Sequence, residues 1–179
     1  AVVNLAGAPI FGKHWDREYK EEIRKSRIDT TRAIVEAIEA AGNVPGVLVN
    51  ASAIGYYGDR DVELLPESAD AGRGFMAEVC TAWEAAAARC PTRTVIMRIG
   101  VVLGAGGGAL KAMLLPFKLG LGGPISSGAQ WFSWVHVRDL AQLFLRALDD
   151  ESLRGAVNGT APNPVTNKEF ARTLGDVLH

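Results

Sequence analysis

The sequence predicts an α/β fold in which a parallel sheet is covered by helices on both faces. Short segments rich in valine and isoleucine alternate along the chain with longer segments whose apolar residues recur at helical spacing. The short segments are apolar at consecutive positions, so both faces of each strand are expected to be buried, as in a parallel sheet. Ligands bind beyond the carboxyl ends of the strands in such sheets, so the residues that follow each strand are the first candidates for a functional site.

The first half of the chain contains three of the predicted strands, at 1–5, 46–50 and 94–99. A helix over 16–41 follows the first strand, because its later half carries apolar residues at the spacing i, i+3, i+4 and i+7. Gly42 is expected to end that helix. A second helix, over 75–89, has its apolar residues on one face and leads into the third strand.

The second half of the chain continues the alternation. A helix over 110–117 follows a cluster of glycines, and Pro116 is expected to bend it. Short strands are predicted at 131–135 and 156–158, with a strongly amphipathic helix over 140–148 between them. Thr166 and Glu169 have the spacing of a capping box, which predicts that a final helix begins there and continues to residue 178.

The composition argues against several classes of function. The 179 residues include 19 Lys and Arg against 20 Asp and Glu, a net charge of −1, so there is no cationic surplus for a nucleic-acid partner. No apolar segment approaches the roughly 18 residues of a membrane span, and no membrane interaction is expected. Cys80 and Cys90 are too few for a disulfide framework or a zinc site, which favours a reduced, cytoplasmic protein. His14 and His179 have no companion ligands, so no metal is expected.

Three segments follow predicted strands. Asn4–Gly7 is either a tight turn, which is favoured on these residues alone, or a place where a flat ligand or a phosphate contacts the backbone. In 51–59, the hydroxyl of Ser52 and the phenols of Tyr56 and Tyr57 could donate hydrogen bonds to a substrate. Alternatively, Ser52 holds the loop and the tyrosine rings pack against the protein. The segment 104–109 resembles a dinucleotide fingerprint, but no acidic residue follows until Asp139. A mobile loop whose glycines let its backbone approach neighbouring atoms closely is therefore favoured.

Other polar and aromatic residues favour structural roles when they are considered singly. Glu22 and Arg27 lie on the charged half of the first helix, as a solvated ionic face would. His136 is expected to form a local hydrogen bond at a helix start. Trp131 and Trp134 either line a substrate cleft or fill the core, and the core is favoured.

Taken in order, the motifs resemble a known superfamily. Asn4-Leu-Ala-Gly7, Glu22 with Ser26-Arg27, and Ser52-Ala-Ile-Gly-Tyr-Tyr-Gly-Asp59 resemble the extended and atypical short-chain dehydrogenase/reductases. The later motifs are similar to its epimerase-like subgroup, some members of which are labelled cell-division inhibitors. These motifs are Trp83-Glu-Ala-Ala86, Arg98-Ile-Gly-Val-Val-Leu-Gly104, Leu115-Pro-Phe-Lys-Leu-Gly-Leu-Gly-Gly-Pro124, Trp134-Val-His-Val-Arg-Asp-Leu140 and Asn158-Gly-Thr-Ala-Pro162. The resemblance covers essentially the whole chain.

The resemblance implies a Rossmann-type, doubly wound parallel sheet that binds NADP or NAD, with NADP favoured. It implies one domain over 1–179, in which about 1–103 and 136–150 form the sheet core and about 104–135 and 151–179 a small substrate-side lobe. The cofactor-binding residues that it implies are Asn4, Leu5, Ala6, Gly7, Glu22, Arg27 and Val102. The guanidinium of Arg27 suits a phosphate, and the carboxylate of Glu22 suits ribose hydroxyls or a partner arginine.

The sequence departs from the superfamily at its catalytic residues. The usual Tyr-x-x-x-Lys pair would fall on Met76 and Cys80, or on Phe75 and Val79 one residue earlier, and the usual serine on Ala53. Ser52 and Tyr57 therefore become the candidate catalytic residues.

The expected function is that of an NAD(P)-binding epimerase or oxidoreductase that acts on an unknown small polar substrate, with a sugar nucleotide as one candidate. The alternative is a non-catalytic NAD(P)-binding sensor or regulatory module, since the Tyr-x-x-x-Lys pair is absent. A scaffold that pairs with a partner protein is a weaker third hypothesis.

The resemblance also implies that the N-terminal strands and the glycine-rich turn of such a fold precede the first residue, and that the family continues past the last helix. The strand that carries Val2, Val3 and Leu5 would then lie at an open sheet edge. The 179 residues alone are therefore expected to be unstable or to self-associate, and to bind NAD(P) poorly. A homo-oligomer is also among the expected partners.

Overall fold

The computed structural model describes residues 1–11 and 13–178. His179 lies outside the described residues. In chain order the elements are β1 (Val2–Asn4), α1 (Arg17–Glu39), β2 (Val47–Ala53), a 3₁₀ helix (Ile54–Tyr57), α2 (Phe75–Ala87), β3 (Arg93–Ile99), β4 (Val101–Gly104), α3 (Gly108–Lys118), β5 (Trp131–Phe132), β6 (Trp134–His136), α4 (Val137–Asp149), β7 (Gly155–Gly159), β8 (Val165–Thr166) and α5 (Asn167–Leu178). Among these, no helix has the length and apolar character needed to cross a membrane.

The main sheet is parallel, with the strand order β1-β2-β3-β7. Asn4 lies opposite Asn50, and Ser52 lies opposite Arg98, which in turn lies opposite Asn158. Because the strands run in the same direction, their carboxyl ends meet at one side of the sheet, called here the carboxyl edge. The predicted parallel α/β fold is confirmed, and the register brings polar residues from β2, β3 and β7 side by side.

Helices cover both faces of this sheet. On one face, Leu48 packs with Val35 and Ile38 of α1, all of them buried. On the other face, a cluster of buried residues joins β2 and β3 to α4, and its members are Val47, Val49, Val95, Met97, Val135, Leu140 and Ala147. The amphipathic pattern of the predicted helices is thus used to bury the sheet from both sides.

The remaining elements form a second group beside the sheet. β4 pairs in parallel with β6, and β5 pairs antiparallel with β8. The rings of Phe132 and Phe170 stack with their centroids 4.2 Å apart, which fixes α5 against β5. The capping box is confirmed: the backbone N–H of Thr166 donates to Glu169 Oε2 at 2.8 Å, and the N–H of Glu169 donates to Thr166 Oγ1 at 3.2 Å.

Two local predictions need correction, and two short strands were not predicted. Gly42 does not end α1 in a left-handed conformation, because the helix ends earlier, where the N–H of Ala40 bonds to Glu36 O. The predicted strand at 131–135 is divided at Ser133 into β5 and β6, which pair with different partners. β4 and β8 were not predicted, since such short strands have no clear periodicity of their own.

Candidate functional site

A buried polar cluster fixes the turn at the carboxyl end of β1. The Asn4 side chain is 3% exposed. Its Nδ2 donates to Thr31 Oγ1 at 2.9 Å and to Asn50 Oδ1 at 2.7 Å, and its Oδ1 accepts from the N–H of Ala6 at 3.1 Å. Trp83 Nε1 also donates to Thr31 Oγ1, at 2.9 Å. Asn4 therefore shapes the backbone of the turn from within the protein.

Arg27 lies directly against this turn. Its Nη2 donates to Ala8 O and its Nη1 to Ile23 O, both at 3.0 Å, and its guanidinium carbon lies 5.3 Å from the centroid of the Trp83 ring. A Cβ on Gly7 would lie only 2.9 Å from that carbon, so glycine is what permits this contact. Arg27 is thus held by backbone carbonyls and an aromatic face.

The charge of Arg27 has no acidic counterpart in the described residues: none of the ion pairs among residues 1–11 and 13–178 includes it. The side chain is half-buried, and burial lowers its pKa from the ordinary value. A half-buried cation without a carboxylate partner is a favourable place for an anion.

The other predicted cofactor residues differ in their exposure to solvent and in their surroundings. Leu5 is 63% exposed, just beyond β1. The side chain of Glu22 is 52% exposed, and its carboxylate lies 3.8 Å from Lys13 Nζ. Five residues separate Glu22 from Arg27, which places them about 140° apart around α1, so they do not face each other. Val102 lies in β4 opposite Val135, and it packs against the core cluster on the α4 side.

A second buried network begins at Ser52. Its hydroxyl donates to Glu84 Oε1 at 2.6 Å. Arg98 binds the same carboxylate with two hydrogen bonds, from Nε to Oε1 at 3.0 Å and from Nη2 to Oε2 at 2.8 Å. The exposed fractions of Ser52, Glu84 and Arg98 are 2%, 8% and 4%. Burial by itself would lower the pKa of Arg98, but Glu84 and Tyr57 together raise it, so the guanidinium stays charged.

The network continues to Tyr57, which is 4% exposed. Tyr57 Oη accepts from Arg98 Nη1 at 3.0 Å and donates to Asn158 Oδ1 at 2.6 Å. The guanidinium of Arg98 also lies over the ring of Tyr56, 3.5 Å from its centroid. Arg98 and Asn158 belong to motifs of the sequence, but no role was predicted for them. No signal in the sequence could have found them, because their opposite positions depend on the register of the sheet.

Comparison with known proteins identifies the family. The model of the family described as "NAD dependent epimerase/dehydratase family" matches residues 1–158. The chain belongs to this epimerase/dehydratase family. The predicted resemblance and the Rossmann-type fold are therefore confirmed.

Relatives of this epimerase-family chain extend from plants to animals and bacteria. It is 47% identical to the Arabidopsis thaliana "Epimerase family protein SDR39U1 homolog, chloroplastic", over 99% of the chain and 52% of the relative. It is 44% identical to the Homo sapiens protein SDR39U1, over 99% and 62%. The chain thus spans between about half and two thirds of the length of these curated relatives.

Solved structures of relatives are also similar. The human SDR39U1 (isoform 2) structure with NADPH has a TM-score of 0.94 and 43% identity, over 98% of this chain and 61% of that one. A structure of the nucleoside-diphosphate sugar epimerase from Corynebacterium glutamicum has a TM-score of 0.80 and 35% identity, over 94% and 38%.

In this epimerase-family chain, Met76 and Cys80 lie where the resemblance would place the Tyr-x-x-x-Lys pair. Both contact the 3₁₀ helix after β2: a Cβ on Gly55 would lie 3.3 Å from Met76 Cβ and 3.8 Å from Cys80 Sγ. Cys80 is 1% exposed, and burial raises the pKa of its thiol to about 11. Neither side chain is therefore able to exchange a proton near neutral pH.

The buried thiol of Cys80 gives a prediction for alkaline pH. Between the ordinary pKa of 9.0 and the raised pKa of about 11, the folded state keeps a proton that the unfolded state releases. The free energy of unfolding is therefore expected to fall as the pH rises through this range, by roughly 2–3 kcal/mol in total. Urea unfolding at several pH values checks this, and Cys80→Ala should show a smaller fall. An equal fall in both proteins would contradict the prediction.

A polar cleft of about 900 Å³ opens near the network. Its lining includes Tyr57, Asn158, Thr160, Ser133 and Gln130, together with the loop at 58–66. Trp131 also lines it and is 46% exposed, so the favoured expectation that this residue fills the core is wrong. Successive side chains of a strand point to opposite faces, and in β5 it is Phe132, 9% exposed, that is buried.

An apolar cavity of about 590 Å³ lies between the loop that follows β1 and the helices α3 and α5. Its lining residues are Pro9, Ile10, Phe11, Gly108, Ala109, Ala112, Met113, Pro116, Phe117, Leu121, Gly122, Gly123, Ile125, Asn167, Phe170 and Ala171.

Among the described residues, no group of three or more His, Cys, Asp or Glu side chains is arranged to hold a metal ion. His136 Nδ1 accepts from the N–H of Arg138 at 3.3 Å, which is the local bond that was predicted.

Proposed function

We propose that the protein is an NAD(P)-dependent oxidoreductase or epimerase that acts on a small molecule, with NADPH as the favoured cofactor. The observation that carries this proposal is the half-buried charge of Arg27, which lies against Gly7 at the carboxyl edge without an acidic partner in the described residues. Membership in the epimerase/dehydratase family and the NADPH in the human relative's structure support it.

The residues at the carboxyl edge fit such a cofactor. A dinucleotide carries phosphates, and a guanidinium is the side chain that binds them best, with two parallel hydrogen bonds. The backbone of Leu5–Gly7 would lie along the cofactor and Val102 beside its nicotinamide half, while the exposed carboxylate of Glu22 would accept from ribose hydroxyls. Asn4 would act by positioning the turn. When bound, a nicotinamide cofactor supplies hydride transfer.

Tyr57 and Ser52 have different roles in this proposal. Tyr57 lines the polar cleft, so its Oη, which donates to Asn158 Oδ1 in the structure, would instead donate its proton to a substrate oxygen, with Arg98 Nη1 3.0 Å from the phenol oxygen. Ser52 donates to Glu84 and would act as a positioning residue, by holding the carboxylate that orients Arg98. A small polar substrate group, such as the sugar of a sugar nucleotide, would then lie in the polar cleft.

The first test is cofactor binding by the intact protein. Arg27→Gln keeps a side-chain donor for the carbonyls but removes the charge, so the affinity for NADPH should fall by about tenfold or more. Fluorescence titration with NADPH measures this, and urea unfolding shows whether the variant is folded. Arg32→Gln, on the same helix in an exposed pair with Asp29, is the control and should leave the affinity unchanged. Equal affinities in all three proteins would refute the assignment of Arg27.

The second test is turnover. The intact protein is mixed with NADPH and a panel of carbonyl compounds and sugar nucleotides, and the absorbance of the reduced nicotinamide is followed. Tyr57→Phe should lower any turnover by about 10²-fold or more, since it removes the proton donor. Tyr56→Phe is the matched control, because its ring, and not its hydroxyl, contacts Arg98. Equal turnover of the two variants would exclude Tyr57 as the donor.

A non-catalytic NAD(P)-binding sensor is the second candidate function. The observation that favours it is the pair Met76 and Cys80, which leaves the position of the usual catalytic pair without a titrating group near neutral pH. NADPH binding without oxidation by any compound of the panel would support the sensor and count against the enzyme.

A further inference from the structure

We propose that the apolar cavity between the loop after β1 and the helices α3 and α5 binds an uncharged aromatic carbonyl compound. As a statement about the substrate, this rests on the proposed function. It replaces the sugar nucleotide named there by an uncharged aromatic compound, whose ring system would lie in this cavity.

The chemistry of the lining excludes a nucleotide as the preferred ligand. Every described lining residue is apolar or glycine except Asn167, and none carries a charge. A nucleoside diphosphate brings two or more negative charges, and moving them into uncharged, apolar surroundings is strongly unfavourable. The volume of about 590 Å³ lies within the range of sites for small organic ligands.

The walls are held in place by contacts outside the cavity. In the loop after β1, Pro9 O accepts from the hydroxyl of Tyr19, and Ile10 O accepts from Trp15 Nε1 at 3.0 Å. On the α5 side, Phe170 is stacked on Phe132. The cavity is therefore preformed on two sides. Because these walls are already ordered, a ligand would bind without a large cost in conformational entropy.

The α3 side contributes a third fixed wall. The ring of Phe117 occupies the space beside Gly122, where a Cβ would lie only 2.3 Å from the ring. Large apolar side chains at the rim remain exposed to water, with 65% for Phe11, 81% for Leu121 and 67% for Ile125. An aromatic ligand would cover these side chains, which gives the hydrophobic contribution to binding.

Asn167 supplies the polar feature that selects a carbonyl compound. Its Oδ1 accepts from the N–H of Ile125 at 2.7 Å, which fixes the orientation of the amide. No hydrogen bond among the described residues is donated by its Nδ2, so both N–H groups of that amide nitrogen remain for a ligand acceptor. An apolar pocket with one oriented donor group is suited to an uncharged ligand that has a carbonyl oxygen.

The test uses Nile red, an uncharged aromatic dye that fluoresces in apolar surroundings, with the intact protein. We expect saturable binding that acetylnaphthalene displaces and UDP does not. Ala112→Trp fills the cavity from an exposed position on α3, and it should weaken dye binding by about tenfold or more. Leu115→Trp is the matched control: it lies on the same helix, 65% exposed, outside the lining, and should change the affinity by less than about twofold.

Asn167→Asp tests the carbonyl. It keeps the acceptor for Ile125 but replaces the donor by a carboxylate oxygen, so acetylnaphthalene should lose more affinity than ethylnaphthalene, which has no carbonyl. Equal losses for the two compounds would overturn the carbonyl part of the inference. If Ala112→Trp and Leu115→Trp weaken dye binding equally, the dye does not bind in the cavity. If UDP displaces the dye, and does so in the original protein but not in Ala112→Trp, the cavity binds a nucleotide; either result would overturn the inference. NADPH titration of the same variants separates the two proposals, since failure to bind NADPH contradicts only the proposed function.

Discussion

Arg98→Met is expected to lower the free energy of unfolding by about 3–5 kcal/mol, the largest effect of a single substitution that we predict. The substitution leaves the carboxylate of Glu84 buried, and within the described part of the chain only the hydroxyl of Ser52 remains as its partner. It also removes the donor to Tyr57 Oη and the contact with the Tyr56 ring. Urea unfolding of the variant measures the change.

Two further variants test the cause of this loss. Arg60→Met breaks a more exposed ion pair, with Glu63, and should cost less than about 1 kcal/mol. In the double variant Glu84→Met/Arg98→Met no buried charge is left unpaired, so much of the lost stability should return. A cost below about 1 kcal/mol for Arg98→Met would show that Arg98 and Glu84 do not form the described buried pair.

Gly72→Ala should be the next most damaging substitution. A Cβ at this position would lie 2.0 Å from Tyr57 O and 2.4 Å from Tyr57 C, both of them backbone atoms. The loop would have to move away from the 3₁₀ helix, and the bond from Gly72 N to Tyr56 O at 2.9 Å would weaken. We expect a loss of about 1–3 kcal/mol or more.

Gly42→Ala is the control for this substitution. A Cβ on Gly42 meets no atom within 4 Å, and its φ is not positive, so the change should be neutral or slightly stabilising, by up to about 1 kcal/mol. Unfolding of the two alanine variants in urea compares them directly. Equal stabilities would mean that the loop does not lie against Tyr57 as described.

The periodicity of the chain was sufficient to predict most of the main sheet and its helices. Strands such as β2 and β3 are apolar at consecutive positions, and α4 has a clear amphipathic stripe, so each could be predicted from local residues. The division at Ser133 could not be predicted, because the partners of β5 and β6 come from distant parts of the chain.

The candidate site could be predicted only in part. The segment Asn4–Gly7 follows a strand, and the topology of a parallel sheet is enough to place it at the carboxyl edge. The contact between Arg27 and Gly7 depends on the rotation of α1, and the pairing of Glu84 with Arg98 joins a helix to a strand. Charge and spacing alone do not determine such contacts, so Glu22 and Arg27 could not be distinguished before the structure.

A crystal structure of the intact protein with NADPH is the most direct test of the cofactor site. We expect a cofactor phosphate oxygen within about 2.7–3.0 Å of the Arg27 guanidinium, and the cofactor lying along the backbone of Leu5–Gly7. A cofactor bound at another part of the sheet, with Arg27 bonded only to Ala8 O and Ile23 O, would contradict the assignment of Arg27.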